Sequence, residues 1–244
     1  MGKQTKQSIR LSVIIPAYNE EQRIEECVRS TVEYLENQKL SFEVLVVDDG
    51  SRDRTPEICT GIHPAVTTLI NDQNQGKGYS VKRGMLAARG EHVLFFDADL
   101  STPIEEIGKL WKWFEKGFDI VIGSRSLPDS DIAIRQPWHR ELMGKIFNLL
   151  VRVLVVPGIT DTQCGFKCFS RPAVDVIFPR QTIHRWGFDP EILFIARKHG
   201  FKIKDIPVRW LNRSESRVSP VQASLRMFTD LFRVRLQNVT GKYK

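Results

Sequence analysis

Apolar runs recur along the first half of the chain, each closed by a polar or turn-forming cluster. Leu11 to Ile15 runs into Pro16-Ala17-Tyr18-Asn19-Glu20-Glu21, and Phe42 to Val47 into Asp48-Asp49-Gly50-Ser51. Val66 to Ile70 is followed by Asn74-Gln75-Gly76-Lys77-Gly78, Val93 to Phe96 by Asp97-Ala98-Asp99, and Asp119 to Ile122 by Gly123-Ser124-Arg125. Short runs without polar alternation predict strands buried on both faces. Between them lie residues at helical spacing, such as Ile24, Val28, Val32 and Leu35, then Val81, Met85 and Ala88. Further helices are predicted from about Asp53 and Thr55-Pro56, and from Pro103 to about Glu115. Strand, loop and helix in alternation predict an α/β fold: a mostly parallel sheet with helices on both faces. The polar strand ends then line one crevice, where open α/β sheets bind their ligands.

The chemistry concentrates at those ends. In extended backbone, Asp97 and Asp99 point to one side and can converge on a cation. The plainer reading is a strand end followed by a helix opened by Ser101, Thr102 and Pro103. Gly76-Lys77-Gly78 lacks the leading glycine and the following Ser or Thr of a P-loop, and no GxGxxG follows the first strand. A dinucleotide-binding domain is therefore disfavoured. Acidic strand ends suit a divalent cation, Mg²⁺ or Mn²⁺, bridging to a diphosphate.

Composition adds bounds. A chain of 244 residues, 41% hydrophobic, fits one large domain. The net charge of +7 suggests an anionic partner such as phosphate or a membrane surface. Nucleic acid is not among the expected partners. Cys27, Cys59, Cys164 and Cys168 lack zinc-site spacing and are expected as ordinary buried thiols in a reducing compartment. Met1 to Arg10 has no apolar core, so no signal peptide is expected. The most apolar stretch, Ile146 to Val156, is interrupted by Asn148 and Arg152 and falls short of a membrane span.

PAYNEE, VVDDGS, GKG, FFDADLS and GSR, in this order, resemble the inverting family-two glycosyltransferases with the Rossmann-like GT-A fold. Asp161-Thr162-Gln163-Cys164-Gly165-Phe166-Lys167 and Trp186-Gly187-Phe188-Asp189-Pro190-Glu191 resemble the polyprenyl-phosphate branch of that family, chiefly its glucosyl members. The resemblance implies one GT-A domain over 8–244, with a nucleotide-binding half at 8–126 and an acceptor and membrane half at 127–244. It implies transfer of glucose from UDP-glucose to dolichyl or polyprenyl phosphate, with inversion. GDP-mannose is the alternative donor, and a non-catalytic nucleotide-sugar-binding or scaffold module the alternative of another class. Pro16, Ala17, Tyr18 and Glu20 would hold the base and ribose, and Asp49 the base imide. Lys77, Asp97, Ala98 and Gln163 would complete the donor site. Asp99 would be the metal ligand, with Asp97 beside it.

A lipid phosphate is largely ionised at neutral pH and needs cations to position it more than a base to activate it. Arg125 is the first candidate, because a guanidinium grips phosphate with a rigid fork. Lys167, Arg213 and Arg217 follow it. Asp161 is expected beside the reacting centre, on a loop over the donor sugar, with Trp186 and Asp189 as the opposite wall. The stretches 138–156 and 220–237 alternate apolar residues with arginines and lysines. They predict C-terminal amphipathic helices, the first lying at a membrane interface and the second open between interface and core. A peripheral enzyme on the cytoplasmic face is expected, with a homo-oligomer or a separate membrane anchor as further partners.

Overall fold

Leu11–Ala17 forms β1, buried at every position. The structure is a computed structural model describing residues 8–131, 148–211 and 220–244, and the side chains of 220–227 are outside that description. β2 (Phe42–Asp48), β3 (Val66–Ile70), β4 (His92–Phe96) and β5 (Ile120–Ser124) follow the apolar runs. β6 (Phe166–Ser170) and β7 (Ile203–Pro207) complete a seven-stranded sheet in the order β3-β2-β1-β4-β6-β5-β7. β6 is antiparallel to both β4 and β5, and the remaining pairs are parallel. The C-terminal ends of β1, β2, β4 and β5 therefore share one edge, as expected from the alternation.

The helices are α1 (Ile24–Asn37), α2 (Thr55–Cys59), α3 (Lys77–Ala87) and α4 (Trp111–Glu115). α5 is described over 148–154, and α6 (Arg171–Arg180), α7 (Phe188–Lys198) and α8 (Pro220–Val239) follow. Side chains alternate across each strand. Ile14, Phe95 and Phe169 join the layer formed with α3, α6, α7 and α8, whereas Leu11, Val13, Ile15 and Phe166 join the layer under α1. All four cysteines are free and buried.

Three expectations are corrected. β1 continues through Pro16 to Ala17, because the β4 ladder stops at Ile14 and that edge of β1 needs no N–H beyond it. The helix expected from Pro103 is a 3₁₀ turn, Ile104–Lys109, running into the short α4. The stretch Phe166-Lys167, expected in a loop over the sugar, opens the central strand β6 instead.

Candidate active site

The first two loops are stitched to each other. Asn19 N donates to Ser51 Oγ at 2.8 Å, Glu20 N to Thr55 Oγ1 at 2.7 Å and Arg52 N to Asn19 Oδ1 at 2.8 Å. Asn19 takes a left-handed φ of 55°, and Glu20 pairs with Arg23. Tyr18, directly after β1, is 38% exposed, while Pro16 and Ala17 are buried at the end of that strand.

Asp49 is buried and already employed. Its Oδ1 accepts from Asn71 Nδ2 at 2.8 Å and Gln75 N at 3.0 Å, and its Oδ2 from Gly76 N at 2.8 Å. It thereby fixes the loop that leads into α3. Asp48 differs: Oδ2 accepts from Ser51 N at 3.0 Å, but the buried Oδ1 has no protein partner among the described residues.

The glycines of Gly76-Lys77-Gly78 permit a close approach of backbone. A Cβ on Gly76, whose φ is +103°, would stand 2.6 Å from His184 O, and one on Gly78 2.7 Å from Ile183 O. The 181–185 segment is thus pressed onto the first turn of α3, and Lys77 reaches past it to pair with Asp97. The ammonium also sits 5.4 Å over the Trp186 ring. Burial lowers its pKa, but Asp97 and then Asp189 outweigh this and raise it, so Lys77 stays charged.

β4 ends at Phe96, so Asp97 and Asp99 do not converge through extended strand. They lie on a turn: Leu100 N donates to Asp97 O at 3.3 Å, and Leu100 has a φ of +53°. Asp99 Oδ1 accepts from Ser101 N at 2.8 Å, while Ala98 is buried between the two acids. A branched side chain in left-handed backbone costs about 1 kcal/mol or more. The turn accepts that strain and puts both carboxylates on one cleft, lined also by Ser101, Thr102, Arg125, Gln163, Gly165 and Trp210. Gly165 backs Asp97 so closely that a Cβ there would fall 2.1 Å from Asp97 Oδ2.

Across the cleft, Asp161 is fully buried and does not line it. Its Oδ2 accepts from Arg125 Nε at 2.7 Å and Arg125 N at 3.0 Å, and its Oδ1 from Arg125 Nη2 at 2.9 Å and Gln163 N at 3.2 Å. Burial alone would raise this carboxyl. The Arg125 charge and hydrogen bonds outweigh burial and hold it below the usual carboxylate range. Arg125 is pushed up in return and lies with its guanidinium 5.6 Å over Trp210. Asp161 thus anchors the Arg125 guanidinium.

Lys167 is enclosed, on β6, and donates to Cys164 O at 2.6 Å and Asp189 Oδ1 at 2.5 Å. Such burial leaves it no open face for an incoming phosphate. Asp189 is neither a cleft wall nor a helix cap: Gly187 caps α7, and Asp189 is buried in its first turn. Burial raises the Asp189 carboxyl despite Lys167 and Lys77. Trp186 is 41% exposed beside Lys77. Arg213 and Arg217 lie outside the described residues.

Residues 138–147 of the first amphipathic stretch and the side chains of 220–227 in the second lie outside the described residues, and the rest of each stretch divides its faces. Val151 of α5 with Leu231 and Val234 of α8 belong to the core. Leu149 and Val153, and Phe228, Phe232, Leu236 and Val239, are exposed. No helix among the described residues is long and apolar enough to cross a membrane.

Ser101, Thr102 and Trp210 were not among the expected site residues. The first two had one signal in the sequence, as the hydroxyl pair directly after Asp97-Ala98-Asp99-Leu100, and Trp210 had none. Among the described residues no three His, Cys, Asp or Glu side chains gather to hold a metal. Two carboxylates on one cleft nevertheless fit a hard cation that takes its other ligands from substrate phosphates and water.

Known proteins resemble this chain in sequence and in fold. The Dolichyl-phosphate beta-glucosyltransferase of Dictyostelium discoideum is 37% identical over 252 residues, covering 97% of this chain and 77% of that protein. The Homo sapiens enzyme of the same name is 35% identical over 257 residues, covering 96% and 78%. Glucosyl-3-phosphoglycerate synthase from Mycobacterium tuberculosis, crystallised with Mn²⁺, UDP-glucose and phosphoglyceric acid, superposes with a TM-score of 0.69 at 19% identity, over 93% of this chain and 79% of that one. That likeness bears on the fold, which is the GT-A arrangement expected. The pattern of Glycosyl transferase family 2 matches residues 12–178, and the chain belongs to that family of glycosyltransferases.

Proposed function

We propose that the protein transfers glucose from UDP-glucose to dolichyl or polyprenyl phosphate, with inversion and with Mg²⁺ or Mn²⁺. The observation that carries this reading is Arg125, held by Asp161 and facing Asp97 and Asp99 across one cleft. A cation site opposite two carboxylates can receive two anions at once, one through a metal and one directly. The relatives' names supply the sugar and the lipid, and the Mn²⁺ and UDP-glucose of the mycobacterial structure support the donor.

In this reading Tyr18 packs on the base. Asp49 uses three internal donors, which leaves one of roughly four lone-pair sites for a base imide. Asp99, with Asp97 beside it, would hold the metal, which when bound would supply the positive charge that a departing diphosphate needs. Lys77 steadies Asp97 and supplies a second positive charge at the same place. Arg125 aims the acceptor phosphate, and Gln163 and Trp210 bound the sugar between them. Asp161 accepts four hydrogen bonds and is held ionised, so it makes a poor base; the ionised acceptor needs none. The exposed faces of α5 and α8 rest on the membrane that holds the lipid.

The test is release of nucleotide by the purified protein given a short polyprenyl phosphate with UDP-glucose or GDP-mannose, with and without EDTA. Lipid-dependent, EDTA-sensitive release of UDP is expected. Release from GDP-mannose alone would overturn the sugar, and no release from either would overturn the reaction.

A further inference from the structure

The last turn of the chain is tied into the interior by a polar cluster that the transfer chemistry does not use. Tyr243 is fully buried. Its hydroxyl contacts Glu191 Oε1 at 2.7 Å and Gln237 Oε1 at 2.5 Å, and the Thr182 hydroxyl contacts the same two atoms at 2.6 Å each. Each hydroxyl has one proton for two acceptors, so the pair shares the carboxylate and the amide. Burial and the Glu191 carboxylate push the phenol up, which keeps it a donor. The other carboxylate oxygen, Oε2, accepts from Ile183 N at 2.8 Å. Glu191 is thus a clasp between the C-terminal turn and the 181–184 segment.

That segment is the one pressed against the start of α3. Gln181 Nε2 donates to Gly78 O at 2.8 Å, and Tyr79 N to His184 O at 3.0 Å. The two glycines flanking Lys77 admit it with no side chain between. A displacement of 181–184 therefore moves the turn that carries Lys77, whose ammonium meets Asp97. The path is continuous: Tyr243, Glu191, the 181–184 backbone, Gly76 and Gly78, Lys77.

We propose that Tyr243 is a positioning residue for the donor site, acting through Glu191 and the 181–184 segment to set Lys77. The inference rests on the donor reading of the crevice. Losing one shared hydrogen bond in a buried cluster is expected to loosen the segment without unfolding the domain, weakening nucleotide binding about three- to tenfold. The donor, once bound, closes the same geometry, so turnover at saturation changes less than twofold.

The experiment is calorimetric titration of UDP in the presence of Mn²⁺ into the full chain and its variants. Thermal unfolding is followed in parallel. Tyr243→Phe keeps the ring and removes only the hydroxyl. It is expected to raise the UDP dissociation constant and the KM for UDP-glucose about three- to tenfold, with kcat nearly unchanged. Lys77→Met weakens UDP more, and Tyr243→Phe adds nothing to it, because both act at one point. Thr182→Val, which removes the other hydroxyl of the cluster, reproduces the effect and serves if Tyr243→Phe does not fold. An unchanged dissociation constant in both hydroxyl variants, or full additivity with Lys77→Met, overturns the proposal while UDP binding by the unaltered protein keeps the donor reading. Absence of UDP binding by the unaltered protein, or no effect of Lys77→Met, overturns the donor reading and the proposal with it.

Discussion

Asp161 grips Arg125 along two sides of the guanidinium, Oδ2 on Nε at 2.7 Å and Oδ1 on Nη2 at 2.9 Å, from a position 36 residues away in the chain. The pair converts a flexible cation into a fixed one. Arg125→Lys keeps the charge and loses the fork, and is expected to lower kcat/KM for the lipid phosphate about a hundredfold. Asp161→Asn is expected to cost about tenfold or more, because the guanidinium is no longer held. Unchanged acceptor kinetics in both variants would remove Arg125 from the acceptor site.

The same pair fixes a pH expectation. A carboxyl whose folded pKa is depressed contributes stability above its unfolded value of about 4 and loses it as pH falls through the folded value. Asp161 is such a group. Between pH 8 and pH 5 it stays ionised, so the activity limb in that range is expected near pH 6, from the acceptor phosphate. Replacing the phosphate monoester with an acceptor lacking that second ionisation should abolish the limb. A limb that persists would point to a titrating protein group.

The two acids on the 97–100 turn differ in what they already hold. Asp97 is paired with Lys77, whereas Asp99 takes only a backbone N–H from Ser101 among the described hydrogen bonds. Asp99→Asn is expected to abolish Mn²⁺ binding in the presence of UDP, read by electron paramagnetic resonance. Asp97→Asn is expected to weaken it by a smaller factor. The reverse order would exchange their roles.

Gly165 offers a cleaner perturbation than either acid. An alanine there would bring a methyl group to 2.1 Å from Asp97 Oδ2 and 2.5 Å from Cγ, so the carboxylate must leave its place. Gly165→Ala is expected to weaken Mn²⁺·UDP about tenfold while shifting the unfolding midpoint by only a few degrees. Wild-type affinity would show that the carboxylate position is not critical.

Lys167 and Asp189 test stability instead of chemistry. Breaking a buried ion pair from one side costs about 3–5 kcal/mol, whereas replacing both partners with apolar residues costs far less. Lys167→Met alone is expected to destabilise the fold by that amount in urea unfolding. Lys167→Met with Asp189→Leu is expected to recover most of the loss. A double variant as weak as the single one would assign the pair a role beyond charge neutralisation.

Five strands of the sheet and the shared crevice were legible because apolar runs ended in Pro, Asp or Gly clusters. β6 was not. Its sequence, Phe166-Lys167-Cys168-Phe169-Ser170, carries a lysine in second position and follows a glycine, both signs of a loop. Lysine is almost never fully buried unless paired, and its partner Asp189 lies on another element. Asp161 was singled out, but its burial against Arg125 was not legible, for the same reason. Its partner sits across the fold, and nothing local distinguishes an acid facing substrate from one anchoring an arginine. The glycines around Lys77 do not fit a P-loop in sequence, and their use shows only in space, where they make room for the backbone of 183 and 184.

The place of β6 also governs how the chain can be made. β4 and β5 follow one another in sequence, yet the strand between them is supplied by residues 166–170. Until those residues leave the ribosome, the sheet has a gap at its centre, with a bare edge on each side of it. Bare edges pair with whatever strand is nearest, including another copy. A fragment ending at residue 126 would contain both acids of the 97–100 turn and still lack the strand that closes the sheet. Such a fragment leaves the edges of β4 and β5 unpaired, and it is expected to aggregate when expressed alone.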